Sequence, residues 1–152
     1  MKYYTKDRPS RSQTFLEMAL TMGKRSTCAR AQNGALIVKG SRIISSGYNG
    51  PIKDQLHCND HDCDINLPCT RAVHAEANAI YFAARMGIPT DEAEMYCTMA
   101  PCKKCAEAIV QAGIKKVIFL SYYTDSGGLE LLKNAGVEVE GLLINHVGTN
   151  EK

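Results

Sequence analysis

A chain of 152 residues is the size of one ordinary domain, long enough to bury a sizeable core, and it is expected to fold as one unit over 1–152. Its 18 Lys and Arg against 16 Asp and Glu leave a formal charge of +2, which argues against nucleic acid as a partner but leaves room for small anionic ligands. No apolar run approaches the ~20 residues of a membrane span, and Met1 to Arg11 lacks the hydrophobic segment of a secretory signal, so no membrane partner and a cytoplasmic setting are expected. In that reducing compartment the 7 cysteines read as metal ligands or packing residues rather than disulfides.

Phe15, Met18, Ala19 and Met22 recur at helical spacing and predict a first amphipathic helix from about Ser10 to Lys24, its Met residues filling the core. Ala35-Leu36-Ile37-Val38 and Arg42-Ile43-Ile44, separated by Lys39-Gly40-Ser41, predict an antiparallel hairpin that closes at Gly47-Tyr48-Asn49-Gly50. Residues 51–73 show no periodicity. So long an irregular stretch is usually functional or tied down by something else, and it holds His57, Cys58, His61, Cys63 and Cys69. A second helix is expected over His74 to Met86, stopped by Gly87, and a third strand over Met95 to Met99. Cys105, Ala108, Ile109 and Ala112 mark the apolar face of a third helix ending at Gly113. Lys116 to Leu120 reads as a buried strand, Leu129 to Asn134 as a fourth helix and Val137 to Ile144 as a fifth strand, with a loosely held tail from Asn145. Strand–helix–strand repeated twice implies right-handed parallel crossovers. The expected architecture is a three-layer α/β/α arrangement around a five-stranded mixed sheet.

Two motifs carry chemistry: His74-Ala75-Glu76 and Pro101-Cys102-Lys103-Lys104-Cys105. Cys102 and Cys105 stand three apart and share a helix face, with Pro101 suited to the helix start and the helix N-terminus favouring thiolate. His74 and Glu76 are two apart and converge only if a metal sits near a helix end, so two helix starts aimed at one ion is the implied geometry. Three N/S ligands leave the fourth tetrahedral position of Zn²⁺ for water, the mark of a catalytic site. Glu76 is then free for general acid–base work on that water. A His with Cys-x-x-Cys also occurs where zinc only holds a fold, but a structural ion has no use for Glu76. The paired pattern His-x-Glu and Pro-Cys-x-x-Cys is a known signature of zinc deaminases acting on nucleobases.

With these motifs, the chain resembles the cytidine deaminase superfamily and, within it, the deoxycytidylate (dCMP) deaminases of the bacterial and phage type. Further segments carry the likeness: Arg25 to Arg30, Gly47-Tyr48-Asn49-Gly50, Arg71 to Ile80 and Gln111 to Lys115. The resemblance implies the cytidine deaminase-like fold and the hydrolysis of dCMP to dUMP and ammonia for thymidylate supply, in the host cytoplasm if the gene is a phage's. It implies zinc on His74, Cys102 and Cys105, proton transfer by Glu76, and Asn49 on the substrate sugar, although Asn between glycines is also a default turn residue. The backbone of Ala75 and Ala100 would meet the base edge. Tyr122 and Tyr123, after the fourth strand, either read the phosphate or pack. Asn33 departs from the family, which usually has a small apolar residue there.

The resemblance also implies a homo-oligomer, a hexamer, activated by dCTP and inhibited by dTTP with Mg²⁺ accompanying the triphosphate. Lys24, Arg25, Ser26 and Arg30 could receive an effector, and the same residues suit a solvated helix end. Phe82, Arg85 and Met86 are candidates for the subunit interface. A second metal in the irregular stretch is implied too. Setting aside Cys97 as buried in a strand, Cys28, Cys58, Cys63 and Cys69 could close a structural zinc site, with His57 and His61 as substitutes. Competing readings are a tRNA or other RNA base deaminase, disfavoured by the low charge and the absence of Trp, and a non-catalytic zinc or nucleotide scaffold, disfavoured by Glu76.

Overall fold

Ser10 starts the first helix: its hydroxyl accepts the Gln13 N–H at 3.1 Å, satisfying one of the donors a helix start leaves orphaned. The structure, a computed structural model, describes residues 8–60, 63–67 and 69–142. Helix α1 spans Arg11–Gly23 and buries Leu16, Ala19 and Gly23. The expected core role of Met18 is corrected: it is 44% exposed. The buried line is set by a close approach of backbones, because a side chain at Gly34 would collide with the Ala19 carbonyl. Small residues must therefore face the sheet, and Met18 is rotated off that line.

Strands β1 (Gly34–Lys39) and β2 (Arg42–Tyr48) form the expected hairpin. Gly40 and Ser41 both have positive φ, the two-residue turn that matches strand twist. Ile37 pairs with Ser45 and Val38 with Ile43, so Ile44 is the extra residue of a bulge. Helix α2 (Ala75–Arg85) leads to β3 (Glu94–Met99), α3 (Lys103–Gln111) to β4 (Lys116–Ser121), and α4 (Gly127–Asn134) to β5 (Glu138–Gly141). The sheet order is β2-β1-β3-β4-β5, with β1 antiparallel to both neighbours and β3, β4 and β5 parallel. The expected five-stranded mixed sheet is therefore observed. The fifth strand ends at Gly141; Ile144 and the tail from Asn145 lie outside the described residues.

Strand residues alternate between two cores, as the period of two requires. Ala35, Ile37, Met95, Cys97, Val117 and Phe119 pack with Ala75, Ala79, Ala106, Ile109 and Leu132 from α2, α3 and α4. Leu36, Val38, Tyr96 and Ile118 pack with Leu16 and Ala19 of α1 on the other face. Burial on both faces explains why the central strands read as continuous apolar runs.

The stretch 51–73 holds a short 3-10 turn at Cys58–Asp60 and is closed at its base by a bridge between Gly50 and Val73. Side chains tie it further: Arg71 donates to the Leu56 carbonyl at 2.8 Å and Arg30 to the Leu67 carbonyl at 3.1 Å. His61 lies outside the described residues. Among the described residues no helix is long and apolar enough to cross a membrane.

Candidate active site

His74 and Cys102 are the N-caps of α2 and α3, both with extended backbone, and neither side chain caps its own helix. Each is therefore free to turn toward a shared point in front of the two helix starts. His74 Nδ1 lies 3.4 Å from Cys102 Sγ and 3.5 Å from Cys105 Sγ. One imidazole nitrogen has a single proton or a single lone pair, so it cannot satisfy two thiols at once. Zn–S and Zn–N bonds of about 2.3 and 2.0 Å at a tetrahedral angle put such atoms about 3.5 Å apart, so the triad fits zinc. Among the described residues this is the set of His, Cys and acidic donors close enough to share an ion, its ligand atoms within 4.8 Å of one another.

Pro101 does not open the helix, as its type had suggested. It precedes the cap, because Cys102 takes the extended N-cap conformation and α3 begins at Lys103. Pro101 is seated against α4 instead: a side chain at Gly128 would collide with its carbonyl.

Glu76 lies in the first turn of α2 and is buried. Burial pushes its carboxyl up from the ordinary range, offset by its own backbone N–H, by His74 and by a hydrogen bond with Cys105. Burial likewise pushes the Cys105 thiol well up, with Glu76 and Cys102 adding to it and a backbone hydrogen bond from Ala77 opposing. The helix start alone therefore does not favour thiolate here. A cation between the sulfurs would reverse that balance.

A cleft of about 500 Å³ opens above this group, with His74, Ala75, Glu76 and Cys102 in its floor. Asn33, Asn49, Thr98 and Ala100 form one wall, and Arg30, Tyr122, Tyr123 and Thr124 lie along its lining too. Asn49 is 7% exposed, and its side chain donates to the Ala31 carbonyl at 2.9 Å and accepts the Asn33 N–H at 2.8 Å. Tyr122 packs edge-on against Phe119, ring centroids 5.0 Å apart, while remaining largely exposed.

The remaining candidates are only partly brought together. Lys24 and Arg25 are exposed beyond the end of α1, but Ser26 is buried, its hydroxyl accepting the Cys28 N–H at 3.2 Å. Arg30 lines the cleft, which Lys24, Arg25 and Ser26 do not, and its guanidinium donates to the Leu67 carbonyl. Cys28 and Cys69 also line the cleft. The Cys58 thiol is pushed up by burial and then by the neighbouring thiols of Cys28, Cys69 and Cys63, so these four lie near one another without forming a set as tight as His74, Cys102 and Cys105. Phe82 on α2 and Met86 at its C-cap are exposed. Sequence reasoning missed Thr98, whose one signal was a hydroxyl inside an apolar strand.

This geometry allows hydrolysis by a metal-activated water with one buried proton carrier, and comparison with known proteins gives the lineage. Residues 9–121 match the cytidine and deoxycytidylate deaminase zinc-binding region. The chain belongs to that family. ComE operon protein 2 of Bacillus subtilis (strain 168) is 44% identical over 136 residues, covering 88% of this chain and 72% of that protein. The deoxycytidylate deaminase of Enterobacteria phage T4 is 33% identical over 170 residues, covering 85% and 88%. The crystal structure of dCMP deaminase from cyanophage S-TIM5 in complex with dCMP and dUMP superposes with a TM-score of 0.82 at 31% identity, over 90% of this chain and 99% of that one. As a family member, the chain is a hydrolytic deaminase with the cytidine deaminase-like fold.

Proposed function

We propose that this enzyme converts dCMP and water to dUMP and ammonia in the cytoplasm, and that one domain over 1–152 carries the activity. The observation that carries the reading is the buried Glu76 carboxyl beside the His74, Cys102 and Cys105 triad, at the floor of a cleft of nucleotide size. His74, Cys102 and Cys105 would hold Zn²⁺. Bound there, zinc supplies the Lewis acidity that brings the pKa of a water from ~15.7 toward about 7.

Glu76 handles the protons. It takes one from water as the oxygen adds to C4 and places it on N3. It then moves the remaining hydroxyl proton to the exocyclic amine, the C4–N bond breaks, and ammonia leaves as the C4 carbonyl forms. Burial that raises its pKa suits a carboxyl that must both accept and release a proton. The Ala75 N–H and the Ala100 carbonyl would hold the base edge and Asn49 the sugar, a reading supported by all three residues lining the cleft. Arg30 is the cation among the described lining residues, which suits it to the 5′-phosphate, with Tyr122 and Tyr123 beside it.

Control by dCTP and dTTP, with Mg²⁺ carried on the triphosphate, is supported by exposed Lys24 and Arg25. Their neighbours Met22 and Thr27 line a second cleft of about 430 Å³ that also contains Lys53 and His57. Exposed Tyr81 and Phe82 on α2, with Met86 at its C-cap, suit contact with further copies of the chain in a hexamer. Arg25→Ala should blunt the response of dCMP kinetics to both triphosphates and leave kcat unchanged; full sigmoidal control in that variant would count against the assignment.

The decisive test of the main reading is ammonia release by zinc-loaded protein on dCMP, deoxycytidine and a tRNA anticodon stem-loop. Preference for dCMP is expected. Preference for the stem-loop, or no release from any of the three, would overturn it.

A further inference from the structure

We propose that Asn33 is a specificity-determining residue: its side-chain NH₂ donates a hydrogen bond to an acceptor oxygen of the bound nucleotide, either the C2 carbonyl of the base or the 3′-hydroxyl of the sugar. The inference rests on the deaminase reading above.

Asn33 stands immediately before β1, in the wall of the cleft that also contains Asn49, Thr98 and Glu76. Its backbone is locked by a reciprocal pair. The Asn33 N–H donates to Asn49 Oδ1 at 2.8 Å, and the Asn33 carbonyl accepts the Asn49 N–H at 3.2 Å. Its side chain is oriented from the other direction. Thr98 Oγ1 accepts the Gly34 N–H at 3.2 Å and lies 3.1 Å from Asn33 Oδ1. A hydroxyl has one proton to give, and Thr98, 6% exposed, has this acceptor for it. The proton therefore goes to Oδ1, and that choice turns Nδ2 the other way. Among the described residues Nδ2 has no partner, and no buried side-chain nitrogen or oxygen there lacks one, so Nδ2 opens onto the volume the residue lines.

The contrast with Asn49 sharpens the assignment. Asn49 spends Nδ2 on the Ala31 carbonyl and Oδ1 on the Asn33 N–H, so much of its capacity goes to holding the loop before β1. Asn33 spends only its oxygen. When a nucleotide fills the cleft and water leaves, an amide donor without a partner would incur its full desolvation cost. A ligand that offers an oxygen at this place is therefore selected over one that does not.

The test is kcat/KM of zinc-loaded wild type, Asn33→Val and Asn33→Asp on three substrates: dCMP, its 2-thio analogue, a poor acceptor at C2, and 2′,3′-dideoxycytidine monophosphate, which lacks the 3′-hydroxyl. Asn33→Val is expected to lose about 10- to 100-fold on dCMP, the size of discrimination a buried hydrogen bond supplies. The gap to wild type should shrink to within about twofold on the one analogue whose acceptor Asn33 reads, which identifies the source. Asn33→Asp is isosteric and keeps an oxygen toward Thr98 but loses the donor, so it should show the same substrate pattern with a larger loss, and it stands in if the valine variant is unstable. Equal losses on all three substrates would make Asn33 merely structural and overturn the proposal, as would variants within twofold of an active wild type throughout. No turnover of dCMP by wild type itself would overturn the deaminase reading, and this inference with it.

Discussion

The helix starts that carry His74 and Cys102 and the stretch 51–73 both hold potential metal ligands, yet they are secured in opposite ways. The helix starts follow directly on hydrogen-bonded structure: Val73 is bridged to Gly50, and Ala100 N–H donates to the Ser121 carbonyl at 2.7 Å, just past paired β3 and β4. Their side chains converge because both cap positions face the same space in front of the two helix starts. Beyond the Gly50–Val73 bridge at its base, the described part of the stretch 51–73 is secured by a few bonds involving the side chains of Arg30, Arg71 and Thr27, and it presents Ile52, Leu56, Ile65 and Leu67 to the surface. A fold can thus prepare one metal site in advance while leaving a second set of thiols only nearby.

The largest effect should come from separating chemistry from scaffold within the prepared site. Glu76→Ala is expected to keep zinc and lose at least about 10³-fold in kcat, because one carboxyl serves more than one proton transfer and each is typically worth about 10²–10⁴-fold. Metal analysis beside ammonia release checks this, and near wild-type turnover would sink the mechanism. Cys102→Ala breaks the comparison from the other side. It should lose both bound metal and activity, and its melting temperature should become insensitive to chelator while that of wild type falls.

Arg30 joins the two regions, donating to the Leu67 carbonyl while lining the cleft. Arg30→Ala should raise KM for dCMP about tenfold and leave deoxycytidine turnover nearly unchanged, as expected of a phosphate contact. An equal effect on both substrates would assign Arg30 to the loop alone. The smallest effect on catalysis is expected in the loosely held stretch. If Cys28, Cys58, Cys63 and Cys69 hold a second zinc, Cys58→Ser should lower zinc from two ions per chain to one and hasten proteolysis within 51–73, with kcat changed less than about threefold. One zinc per chain in fully loaded wild type would rule that site out.

The same contrast accounts for what could be read from sequence. The clustering of His74, Cys102 and Cys105 beside Glu76 was legible because a three-residue spacing and two converging helix starts fix direction. The sheet was legible because apolar runs alternating with helical periods leave few topologies. Met18 was misread since two overlapping stripes on α1 are equally periodic, and only the approach of Gly34 to Ala19 chooses between them. Arg30 and Ser26 were grouped with Lys24 and Arg25 by adjacency in the chain. Arg30 has a partner outside any local pattern, the Leu67 carbonyl, while Ser26 closes a local turn onto the Cys28 N–H and is buried instead of joining the exposed cations. The Asn33–Thr98 pair joins residues 65 positions apart in the chain and has no local signature at all.

The seating of the Pro101 carbonyl against bare backbone at Gly128 bears on how this enzyme tolerates change. Distance from the nucleotide is a poor guide to tolerance in such a structure. In a saturation library, Gly128 on α4 should reject even alanine, because any added atom shoves the peptide next to Cys102, whereas exposed Thr124 in the lining of the cleft should accept many replacements. An engineer seeking new substrates would do well to vary the rim freely and to treat the outer helix as part of the catalytic hardware.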